Sequence, residues 1–224
     1  MLRGVQATPE EQALRVVREV RFDGETFVGL TLTEQDLGGK DFTDCVFEHC
    51  KLQDTVWGGA RLDECRFAGC DLTRMRPRGL RAHTIAFTGC KLMGVEWAQL
   101  GQFPQLAFHE CVLDFASFVE LSLRKTAFTG CKIHEANFFD VDLREADFSG
   151  SDLSGAIFRG CTFDARTDLS TATGLFLDPA QNQARGAKVS SETAMLLAVH
   201  LGLRVADFGG PGKEPAPAKA RRRK

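Results

Sequence analysis

The sequence predicts a solenoid, a fold in which one short unit is stacked on copies of itself. Two observations predict it. Stepping by five from Phe22 to Trp97 visits sixteen positions, and fourteen are large and apolar, the exceptions being Pro77 and Ala82. Restarting at Phe103, all thirteen positions through Phe163 are large and apolar. The second observation is that the residue two before each centre is small or modest, as in Cys45, Cys50, Thr55, Ala60, Cys65 and Cys70. A helix repeats its apolar positions every 3.6 residues and a strand every 2, so neither produces a step of five. A fixed short period instead marks units that bury their apolar centres against their neighbours.

Composition narrows the class. Hydrophobic residues make up 43% and charged residues 26% of the 224-residue chain, ordinary for a soluble globular protein. There are 18 Phe and no Tyr, which implies positions that take an aromatic disc without a polar tip. No run of about 18 apolar residues is present, so no membrane span is expected. Glu10, Glu11, Arg15 and Arg18 interrupt any secretory leader in the first twenty residues, which leads to an expected cytoplasmic location.

The clearest stretch is Ala136–Phe158, ANFFDVDLREADFSGSDLSGAIF. The chain resembles the pentapeptide-repeat family, whose motif is approximately A(D/N)LXX. The resemblance implies an all-β solenoid: a right-handed quadrilateral β-helix with four units per coil, the central Leu/Phe and the small residue pointing inward. Twenty-nine units then make about seven coils, a rod of roughly 35 Å at ~4.8 Å per coil. On that reading residues twenty apart stack, as Phe27, Phe47, Phe67 and Phe87 do, beside Leu32, Leu52, Leu72 and Leu92. The frame moves by one residue between Trp97 and Phe103. Allowing for it, the columns continue through Phe108, Phe128 and Phe148 and through Leu113, Ile133 and Leu153. The shift therefore reads as a single-residue bulge inside one solenoid.

Both ends of such a rod need caps. Residues 1–20 read as an N-terminal helical cap, with Thr8 as N-cap, Pro9 in the first turn, and Ala13, Leu14, Val17 and Val20 covering the first coil. Residues 21–175 are the expected β-helix. Residues 176–206 read as a C-terminal cap, with Ser190 or Ser191 starting a helix that stops at Gly202. That helix is apolar nearly all round, so Met195, Leu196, Leu197, Val199 and Leu201 are expected to join two copies in a homodimer. Residues 207–224 read as a disordered basic tail.

No catalytic, cofactor or metal site is expected. All eight cysteines occupy the small inward slot, where a thiol behaves as a small hydrophobe, and a zinc site would need four converging ligands. His49, His83, His109 and His134 fall in outward slots, far apart around the rod. There is no phosphate-binding loop and no dinucleotide fingerprint. Gly59, Gly69, Gly79 and Gly89 sit two after the centres, at the tight corners.

Charge is more informative. Residues 1–206 carry 28 acids against 22 bases, a net of −6 that the basic tail masks. Arg74, Arg76, Arg78 and Arg81 crowd around Pro77, where the central slots also lose their large residues. Two readings stay open: a mixed charged surface that keeps a rod soluble, or a negative rod that fits a basic groove built for nucleic acid. Val119 and Phe139 occupy outward slots on one side in successive coils, with Ile157 close by, a candidate contact site.

Within the family the chain looks most like the Qnr and MfpA type, which implies a dimeric, non-enzymatic DNA mimic. Its expected partner is a bacterial type II topoisomerase, gyrase or topoisomerase IV, which it would protect from poison antibiotics. The acidic body is then not expected to bind nucleic acid itself. Candidate partner-binding residues are Glu34, Asp54, Asp140 and Glu145, the four arginines, Val119 and Phe139. The rival is a scaffold for an unrelated protein partner. Two departures stand out: no long loop clearly interrupts the frame, and the tail is basic.

Overall fold

The computed structural model describes residues 8–98, 100 and 104–206. Phe103 and the tail from Asp207 to Lys224 lie outside these residues. The chain winds as a quadrilateral β-helix of about eight coils, every described strand pair running parallel. On the first face Arg21–Asp23 pairs with Asp41–Thr43, then Arg61–Asp63, then Arg81–His83. The second face runs from Thr26–Val28 to Ala127–Thr129. Single bridges Thr31–Lys51–Asp71–Lys91 build the third face. The fourth starts as Asp36–Val56–Arg76 and continues from Glu96–Trp97 through Ser117–Val119 and Asn137–Phe139 to Ile157–Arg159.

The register reports the bulge directly. Partners are twenty residues apart as far as the pair Asp71–Lys91, and the next step runs at twenty-one, in Ile85–Leu106 as in Lys91–Val112. A second step occurs higher up, where Asp147 pairs with Asp168. The parallel wall then runs past residue 175, because Asp168–Leu169 pairs with Lys188–Val189. This second step adds the coil that a count ending at Phe163 leaves out.

The interior is a set of dry aromatic stacks. Phe27, Phe47, Phe67, Phe87, Phe108, Phe128 and Phe148 lie face to face with centroids 4.7–5.3 Å apart, the widest gap falling at the first register step. Offset stacks of this kind contribute about 0.5–1.5 kcal/mol per pair beyond the buried area. A phenol here would bury a hydroxyl between rings, which explains Phe without Tyr.

The coil around Pro77 keeps its volume by exchanging slots. Met75 and Leu80, both buried, fill the small positions where Pro77 and Ala82 undersupply the centres. The arginine segment is thus a regular coil, with Val56–Arg76 and Arg61–Arg81 paired, not a projecting loop.

Helix α1, Pro9–Arg18, is capped as expected: Glu11 N donates to Thr8 Oγ1, and Thr8 N donates to the Glu11 carboxylate. Its covering face differs from the expected one. Val16 is fully buried and Ala13 half-buried, whereas Leu14, Val17 and Val20 are 56, 42 and 56% exposed. The helix is held by four contacts outside its own apolar pattern. Arg15 lies over the Phe22 ring and pairs with Glu25, and Lys40 Nζ donates to Val17 O and Glu19 O at 3.0 and 2.6 Å. Lys40 occupies a small inward slot, and burial holds its pKa below the ordinary lysine value. At the other end Ser190 caps α2, Ser191–His200, and Gly202 follows with a φ of 82°.

Candidate functional site

Four faces meet at four corners, and the residue two after each centre turns the corner in the left-handed region. Glycine takes this conformation freely, and other residues at some cost. Fourteen described non-glycine residues accept it, and nine are carboxylates: Glu34, Asp44, Asp54, Glu64, Glu110, Glu120, Glu135, Asp140 and Glu145. These nine, of the 28 acids in residues 1–206, stand on all four edges of the rod, at most three to an edge.

Ion pairs between coils modify these edges. Arg74 holds Asp54 in a two-point contact, Nε–Oδ1 2.8 Å and Nη2–Oδ2 2.7 Å, and this keeps the Asp54 carboxyl below its usual pKa. Glu145 sits between Arg124, at 2.6 Å, and Arg166, at 2.9 Å. Glu34 and Asp140 have no ion pair among the described residues. Of the four acids the sequence singles out, two are therefore open and two are matched.

The arginines divide. Arg74, Arg76 and Arg78 line a cavity of about 420 Å³ with Asp54, Met75, Pro77, Gly94 and Glu96. Pro77 has no amide hydrogen to offer the next coil, and the fourth-face ladder restarts at Glu96–Trp97. Arg81 lies on the first face, away from this group. Val119 and Phe139 are register partners and half-buried, while Ile157, 52% exposed, pairs with Asn137, and it is Arg159 that stands above Phe139. Glu34, Asp54 and Arg74 share one corner line. Glu145 stands on another, so the candidate residues do not form one patch.

Sequence reasoning passed over Phe115. It is 54% exposed, turns a corner at φ 60°, and stands one coil above Gly94 in the Arg74 line. An aromatic in a slot otherwise held by Gly or polar residues is visible in the repeat once the corner column is read by itself.

The cysteines line the interior. Cys50, Cys70, Cys90, Cys111 and Cys131 form one column, and each thiol bonds a carbonyl of the coil beneath, as Cys70 Sγ does to Phe47 O at 3.2 Å. Ser151 continues the column with the same bond. Burial pushes the Cys161 thiol up. Among the described residues no three His, Cys, Asp or Glu side chains converge on a point that could hold a metal.

A model of pentapeptide repeats in eight copies matches residues 27–74, and a pentapeptide repeat region matches residues 80–165. The chain belongs to the pentapeptide-repeat family. Among solved structures this pentapeptide-repeat protein is similar to a trypsin-treated variant of QnrB1, a plasmid-mediated fluoroquinolone resistance protein. The TM-score is 0.71 and the identity 22%, over 83% of this chain and 97% of that one. It is also similar to HetL, involved in heterocyst differentiation regulation in the cyanobacterium Nostoc, at a TM-score of 0.51 and 14% identity, over 83 and 94% of the two chains. At these identities the likeness is one of fold. No curated protein matches the chain.

Proposed function

We propose that this pentapeptide-repeat protein is a non-enzymatic DNA mimic that binds a bacterial type II topoisomerase, gyrase or topoisomerase IV, and protects it from poison antibiotics. The observation that carries the reading is the set of nine corner carboxylates, spread over all four edges of an acidic rod of about 40 Å whose described parts stack at ~4.8 Å per coil. A basic groove that receives duplex DNA attracts such negative charge over roughly 10 Å at 0.1 M salt. The fold shared with QnrB1, described as a fluoroquinolone resistance protein, supports the same reading.

The proposed contact surfaces are these. Glu34 and Asp140 supply open charge, the Arg74–Arg78 cavity is a specific contact within the acidic line, and Val119 and Phe139 offer an apolar one. The active form is a homodimer through α2, working in the cytoplasm. Thr193 is the one buried residue of that helix, while Val199 is exposed and Leu201, just beyond it, is 65% exposed, leaving an apolar surface for a second copy. Leu197→Asp with Leu201→Asp should give monomers in sedimentation.

The test of the reading is binding of the purified protein to gyrase. Glu34→Lys with Asp140→Lys should weaken binding, and rising salt should weaken the parent, while the melting temperature stays nearly constant because surface substitutions shift stability by only about half a kcal/mol. Unchanged, salt-independent binding would favour a scaffold that recognises its partner by other means.

A further inference from the structure

A second concavity lies on the edge between the first and second faces, where the register steps to twenty-one. Its volume is about 640 Å³, within the roughly 300–1,000 Å³ of small-ligand sites. The floor is apolar. Ile85 and Leu106, both buried, stand in the slot that Cys45 and Cys65 fill on the coils below, and Ala86 and Ala107 keep the outer surface low. Pro104, also buried, closes one side.

The rim is basic, against the sign of the body. Arg66 stands at one end, Arg124 and Lys125 at the other. Arg124 is bonded to Glu145 at 2.6 Å. Lys125 stands within electrostatic reach of the same carboxylate, and neither it nor Arg66 has an ion pair of its own among the described residues. Glu64 lines the cavity near Arg66 and disfavours an anion there. Ser122 lines the cavity at the Lys125 end.

We propose that this cavity binds a small organic carboxylate. Its apolar body rests on Ile85, Ala86, Leu106 and Ala107, and its carboxylate meets Lys125 and the Ser122 hydroxyl. The site is independent of the topoisomerase reading and shares no residue with the Arg74 cavity. An anion gains affinity here because a cation beside a low-dielectric floor is less screened than one in open water.

The test is calorimetric titration of the full chain with 4-phenylbutyrate and with 4-phenylbutanol, a neutral molecule of similar shape. The acid should bind one per chain, about tenfold or more tighter than the alcohol, a difference of about 1.4 kcal/mol. Lys125→Glu should erase that preference. The exchange is compatible with the backbone, since Lys125 has a φ of 62° and Glu64 and Glu110 occupy equivalent corners at 54° and 53°. Ala107→Trp should block both ligands. Leu14→Ser, exposed on the N-terminal helix, should change neither. Equal binding of acid and alcohol would overturn the proposal. So would loss with Leu14→Ser but not Ala107→Trp, or no saturable binding of the acid at millimolar concentration.

Discussion

Arg74 and Asp54 meet across one coil in a two-point ion pair, twenty residues apart in sequence. The pair sets a positive side chain into the acidic corner line that begins at Glu34. The contact is exposed on the arginine side, and such pairs add little to stability in water. Arg74→Ala should therefore leave the melting temperature nearly unchanged. Under the proposed function it should weaken topoisomerase binding, because the cavity of Arg74, Arg76 and Arg78 loses its anchored member. A clear fall in melting temperature would assign Arg74 to the fold instead.

A tryptophan pair gives a prediction about the core. Trp57 Nε1 donates to Thr55 Oγ1 at 2.9 Å, whereas Trp97 Nε1 is buried without an acceptor. Val95 stands in the slot that Thr55 holds, two residues before the indole, and is fully buried. Thr55 Oγ1 itself donates to Leu52 O at 2.7 Å, and Leu92 is the equivalent residue. Val95→Thr should raise stability by about 0.5–1.5 kcal/mol, read as a melting temperature higher by a few degrees. Val95→Ala supplies no acceptor and should lower it. If both variants fall together, the indole is already satisfied.

His134 links three coils of the third face. Its Nδ1 is 3.2 Å from Asp114 Oδ1 and its Nε2 is 3.0 Å from Asp152 Oδ2. The Asp152 hydrogen bond, with both negative charges, holds the imidazole above its ordinary pKa. A raised folded pKa stabilises fully below the unfolded value of about 6.5 and is lost as pH rises through the folded value. The melting-temperature advantage of the parent over His134→Gln should be largest below the unfolded value of about 6.5 and shrink as pH rises above it. A difference independent of pH across that range would mean that the ring does not titrate against these carboxylates.

Much of the fold is legible because the coil length is a simple multiple of the unit. Once four units make a coil, the stacking of Phe47 on Phe67 follows from arithmetic. The helix caps Thr8 and Ser190 follow from local chemistry. Other features depend on information that a step of five discards. Met75 and Leu80 restore the volume lost at Pro77 and Ala82, which shows only when inward slots are read in pairs. The second register step, between Phe163 and Leu169, ends the visible frame, so the last coil is not read as one. The face of α1 is chosen by Arg15, Lys40 and Phe22, contacts that its own apolar pattern does not encode, and Leu14, Val17 and Val20 are left outside. For the candidate site, sequence locates the charges but not their partners. Glu34 and Glu145 look alike as outward acids, yet the coil geometry leaves one open and sets the other between two arginines.

The most direct test of the proposed function is drug-stabilised DNA cleavage by purified gyrase, measured with a topoisomerase poison across a titration of this protein. The account predicts that cleavage falls as the protein reaches micromolar concentration, and that Glu34→Lys with Asp140→Lys reduces the effect while the circular dichroism spectrum stays that of the parent. Cleavage that does not change with added protein, together with no detectable binding to gyrase or topoisomerase IV, would contradict the DNA-mimic reading and leave a scaffold for another partner in its place.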